Sequence, residues 1–224
     1  MFGIVSAGIS LIGSACAAVS TVCSTLGAGL VSAGKVIINA IQVGLPIAEK
    51  VFTAVDLVAK AWGIFTEDHK EDDLYDLGMR AEQASMNGVK SDNFDSYQEY
   101  IDHLRNDIEL KPNPSLRDED KLKYGALGTA IAMKGISDKY QVEIPDSFWL
   151  SGVNMNLQPE QFKPLLDTFE SEKVVPRLED FNKGKLPFSE HEKIYDVLES
   201  YLGESMTAQE VEQFFVDAKK TQNS

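Results

Sequence analysis

Residues 1–34, MFGIVSAGISLIGSACAAVSTVCSTLGAGLVSAG, contain no charged side chain, and the low polarity runs on to Phe65 with only Lys35, Glu49, Lys50, Asp56 and Lys60 added. So much weakly polar sequence at one end has to be covered by a bilayer, by other subunits or by the protein's own core. From Thr66 onward the composition changes: the chain becomes acidic and is punctuated by prolines and helix-capping residues. Among 224 residues there are 35 Asp and Glu against 21 Lys and Arg, a formal net charge of −14. Three lysines and two acids precede Thr66, so the front comes to +1 and the remainder to −15. Phosphate binding needs a basic surface that releases counterions, so nucleic acid is not an expected partner.

The length required of a membrane-spanning helix, about 20 apolar residues, is met by Phe2 to Val22 or Ile4 to Ser24. Small residues recur at Gly3 and Ala7, at Gly13 and Ala17, and at Gly27, Val31 and Gly34, a pattern that lets helix backbones approach closely. Pro46, after Gly44 and Leu45, is a natural break, and Ile47 to Phe65 reads as a second helix with proline in its first turn. Glu49, Thr53, Asp56 and Lys60 form one narrow polar stripe along it, so Phe52, Trp62 and Phe65 must meet something apolar or interfacial. A helical hairpin follows, with Gly3, Ala7, Gly13, Ala17, Gly27, Gly34, Phe52, Trp62 and Phe65 as the expected membrane or subunit interface.

A cleaved leader competes with that reading, because Ala15-Cys16-Ala17 has a small-x-small form and Gly13-Ser14-Ala15-Cys16 approaches a lipoprotein box. No basic residue precedes the apolar run, however, and Gly stands where the box needs a large aliphatic residue. The same small-residue faces could equally pack between identical subunits in a filament, ring or tube, with the acidic part as a soluble coat. They could also be core helices of one large helical domain that binds a protein partner through its acidic face.

Chemical motifs are few. Gly29 to Lys35 has the spacing of a phosphate-binding loop, but Val36 replaces the Ser or Thr that would hold magnesium. Cys16 and Cys23, the only cysteines, lie about 10 Å apart along a helix, too far for an intrachain disulfide. His69, His103 and His191 are scattered and fit no zinc-site spacing, and no serine sits in a nucleophile elbow. Asp180 to Gly184 approaches a calcium loop, with Gly and the terminal acid one place off. The expectation is therefore a non-enzymatic protein with no catalytic residue, cofactor or metal.

The acidic part reads as all helical. Ser96/Glu99, Ser115/Asp118, Ser189/Glu192 and Thr207/Glu210 have the capping-box form. With apolar residues recurring at three and four, they predict helices near 74–86, 96–107, 117–140, 146–152, 159–171, 189–202 and 207–219. The pairs Phe148-Trp149 and Phe214-Phe215 anchor packing or form a partner patch. The layout expected is an all-α protein with an apolar segment at 1–65, a charged connector at 66–73 and an acidic helical domain at 74–224. The functional expectation is membrane insertion or association through residues 1–65, as a pore, translocon or delivered-effector component; the alternative is a homo-oligomeric structural subunit. Location follows function, membrane-associated or secreted in the first case and a cytoplasmic assembly in the second.

Overall fold

The computed structural model describes residues 2–65, 73–110, 117–204 and 206–221, the side chains of 2–11, 73 and 219–221 excepted. Among the described residues there are eleven α-helices, two short 3-10 turns and no strand. The front forms α1 (Phe2–Leu26), α2 (Ala28–Val43) and α3 (Leu45–Ala61). Next come α4 (Asp73–Met86), α5 (Tyr97–Asp107), α6 (Asp118–Lys139) and α7 (Ser147–Asn154). The chain closes with α8 (Phe162–Ser171), α9 (Leu178–Asn182), α10 (Phe188–Gly203) and α11 (Ala208–Thr221). It divides into two compact units, Met1–Lys139 and Tyr140–Ser224.

The first unit is organised around α6, which packs against α1, α2, α3, α4 and α5. From Gly125 to Ile136 all of its side chains except that of Lys134 are buried, so it is apolar nearly all the way round and must be enclosed. Small residues make that enclosure tight. A methyl on Gly128 would strike the carbonyl of Leu74, and one on Gly78 would strike the carbonyl of Tyr124, so α4 and α6 meet backbone to backbone. Asp118, Glu119 and Asp120 in the first turn of α6 complement the positive end of its dipole.

The low-polarity front packs as hairpins against this central helix. Leu26, Leu30, Ile37, Val51, Val55 and Val58 are fully buried. The run is cut at two single glycines, Gly27 (φ 154°, ψ 156°) and Gly44 (φ 158°, ψ 148°), a backbone state that residues with a Cβ rarely adopt. The break at Gly44–Pro46 was expected; the one at Gly27 was not. The expected transmembrane span is not found: among the described residues no helix is long and apolar enough to cross a membrane. Residues 66–72 of the expected connector lie outside the described residues. The compact units divide at Lys139, because α6 takes its neighbours from both sides of that connector.

The second unit has an aromatic centre. Phe148, Trp149, Phe162 and Phe169 are buried, with Trp149 stacked on Phe162 at 5.7 Å and Phe148 edge-on to both neighbours in sequence and space. Phe148 and Trp149 are thus core, not a partner patch. Phe215 is buried between Phe181 and Tyr195, while Phe214 is half-exposed. Ser96 and Thr207 cap their helices as expected, each hydroxyl accepting from the N–H of the glutamate three residues on. Ser189 does not: α10 begins at Phe188 on Pro187, so Ser189 already lies inside the first turn. Ser115 lies outside the described residues.

Candidate interaction face

The inward sides of α1 to α3 are occupied by the core, so any site on the front must use what remains outside. On α1 the exposed described residues are Gly13, Ser14, Ala17, Ser20, Thr21, Ser24 and Thr25, all uncharged. Their hydroxyls turn back onto the helix: Thr21 donates to the Ala17 carbonyl at 2.9 Å, Ser24 to Ser20 at 2.8 Å and Thr25 to Val22 at 2.8 Å. Donors satisfied in this way cost little to remove from water. Ser14 donates to Glu119 of α6, which brings an acidic side chain to one edge of the face. At the α2–α3 turn Val43 is 65% exposed and Leu45 41%, with Pro46 exposed beside them.

The nine residues expected at the interface fall into three groups. Gly3 and Ala7 lie in α1, within the segment whose side chains are not described. Gly13 and Ala17 are exposed, and Gly13 has open space around it. The other five serve the fold of the first unit. Gly34 faces the sulfur of Cys23, and the Phe52 ring lies against Gly125. The carbonyl of half-buried Trp62 accepts from Lys139 at 3.0 Å, and that of Ile64 from Arg105 at 2.9 Å. Those two cations thereby complete the end of α3. The Arg105 guanidinium also lies 5.4 Å from the Phe65 ring centre.

Gly27 is held by residues that sequence reasoning missed. A 3-10 turn at Ser91–Asn93 presses against it; the Ser91 hydroxyl donates to the Leu26 carbonyl at 3.0 Å, and the Ala28 N–H donates to the Asp92 carboxylate at 3.4 Å. Asp92 thus supplies the first turn of α2 with an acceptor that the local sequence lacks. More than sixty residues separate the partners, so no local signal announces the pairing.

No protein-family model, no curated protein and no solved structure matches the chain. Gly29 to Lys35 is interior helix in α2, not a loop, which rejects the phosphate-loop reading. Among the described residues no group of three or more His, Cys, Asp or Glu side chains could hold a metal ion. His103 Nδ1 pairs with Asp107 at 2.7 Å beneath Phe94, and His191 stacks on Phe181 at 4.4 Å. His69 lies outside the described residues. Arg177 is shared between Asp180 and Glu190, both at 2.8 Å, in an open groove of the second unit. Burial pushes the Cys16 thiol up and the Cys23 thiol up to about 12, so neither is an activated nucleophile.

Proposed function

We propose that the protein is a non-enzymatic, membrane-associating helical protein that meets lipid through the outward face of α1 and the apolar α2–α3 turn. The observation that carries this reading is the absence of any ionisable side chain on the exposed described face of α1, from Gly13 to Thr25. A charge moved out of water costs several kcal/mol unless it is paired, on the order of the effective penalty for burying an ion. The exposed α1 residues carry none, the carboxylate at the edge of the face being Glu119 of α6 bonded to Ser14, and three of the face's hydroxyls are already bonded within the helix. Val43, Leu45 and Pro46 add apolar area, and the exposed Lys35 ammonium can remain at headgroup level while its stem lies flat. A part in a pore, a translocon or a delivered effector belongs to this reading.

A second reading has its own observation. Gly13 and Ala17 are exposed and small, and Gly13 has nothing near it, so a helix of a second copy could approach as closely as α4 approaches α6. Flotation of the full chain with neutral and anionic liposomes separates the two. The membrane reading expects protein in the lipid fraction; protein left at the bottom as large lipid-free particles defeats it in favour of assembly.

A further inference from the structure

We propose that Gly27 is a latched hinge, and that releasing Ser91 and Asp92 lets α1 and α2 join into one continuous helix. The molecule contains two single-glycine breaks in the same backbone state, and they are held in different ways. Two residues after Gly44 stands Pro46, which cannot donate to the carbonyl four residues earlier and whose ring clashes with it. A straight helix through Gly44 is therefore closed off by covalent structure.

Around Gly27 no such block exists. No proline occurs between Met1 and Leu45, and the flanking residues Ser24-Thr25-Leu26 and Ala28-Gly29-Leu30 are all helical in the fold. Glycine in a helix interior is far less costly than proline. What holds the bend is tertiary: α1 and α2 pack on each other and on α6, and at the bend itself buried Ser91 sits on the Leu26 carbonyl and Asp92 on the Ala28 N–H, both side chains seated where a Cβ on residue 27 would have to be. Gly44 has no comparable clamp, its nearest neighbour for such a Cβ being its own Pro46 at 3.8 Å.

Straightening at Gly27 would give a helix from Phe2 to Val43, about 63 Å long at 1.5 Å per residue. Its uncharged part, up to Gly34, exceeds the roughly 20 residues that span a bilayer. The 25 uncharged residues of α1 already reach that length, and joining would extend the uncharged helix by the eight residues from Gly27 to Gly34. The use of such a helix rests on the membrane reading above; the hinge itself does not.

Spin labels at exposed Ala17 and Asn39, in a full-length chain with Cys16→Ala and Cys23→Ala, measure the hinge directly. Packed hairpin helices hold such labels near the interhelical separation of about 10 Å. A continuous helix places them about 33 Å apart. Ser91→Ala with Asp92→Ala is expected to add a population near the longer distance, and Ala28→Pro to abolish it, since proline is accepted at the first position of α2 and not within a joined helix. Circular dichroism and thermal melts establish that each variant is folded. A folded double variant with only the short distance overturns the latch. A long distance together with no liposome flotation of either the parent or the released variant supports the latch and sinks the membrane reading instead.

Discussion

Cys23 shows how the inward side of the first helix is drawn into the core. It is 2% exposed, its sulfur lies against Gly34, and burial lifts its thiol from an ordinary value of 9.0 to about 12. Tyr100, fully buried nearby, is also raised, first by burial and then by Tyr97 and Cys23. Both groups are held protonated by the fold. The stability they confer is therefore complete below pH about 9 and lost as pH climbs toward 12, where the unfolded chain ionises and the folded one does not. The urea midpoint is expected to fall steadily above pH 9, and Cys23→Ala to fall less steeply than the parent chain over that range. Equal slopes would show that the Cys23 thiol is not the group being titrated.

Among the elements, α6 decides the fold. Gly128→Ala pushes a methyl into the Leu74 carbonyl, which is backbone and cannot rotate away. The expected loss is about 1–3 kcal/mol, read as a lower urea midpoint. Gly13→Ala is the matched control: it lies in α1 with open space around it, and removing a helix glycine there is expected to stabilise by up to about 1 kcal/mol. The existence of α6 was legible from Leu122, Leu127, Ile131 and Ile136 at helical spacing. Its all-round burial was not, because Gly125, Ala126, Gly128, Ala132 and Gly135 carry too little hydrophobic signal to mark a face. Small residues in the front read as packing surfaces, yet the backbone contacts of Gly78 with Tyr124 and of Gly128 with Leu74 lie in the part read as an ordinary acidic domain. Capping explains the other gains and losses. Ser96 and Thr207 announce their helices because their partners are three residues away, whereas Gly27 is completed by Ser91 and Asp92 from a distant turn. The five residues of α9 are too few to show a period at all.

At the scale of the whole molecule, the break in composition and the break in packing do not coincide. Acidity begins near Thr66, but α6 packs against the front helices α1, α2 and α3 as well as against α4 and α5. Deleting residues 1–65 strips α1, α2 and α3 from α6 and is expected to leave a fragment that aggregates, with exposed apolar surface detected by a hydrophobic dye. A soluble monomer with well-dispersed amide signals from 117–139 would contradict that packing. For the candidate site, Gly13, Ala17, Gly27 and Gly34 were legible alike as small residues suited to close helix contact, and Phe52, Trp62 and Phe65 as residues needing an apolar neighbour. Which neighbour they have is a tertiary fact, supplied by α1, α5, α6 and the Ser91 turn.

The uncharged outward face of α1 is the surface on which the functional reading turns. Ala17→Glu with Ser24→Glu places two carboxylates on that exposed face, where substitutions change stability by about 0.5 kcal/mol or less. Liposome flotation of the full-length parent and this double variant, both shown to be folded, is the decisive measurement. The parent is expected to float and the variant to lose at least tenfold of its lipid-bound fraction; equal flotation of the two, or none by the parent, rules out lipid contact through this face.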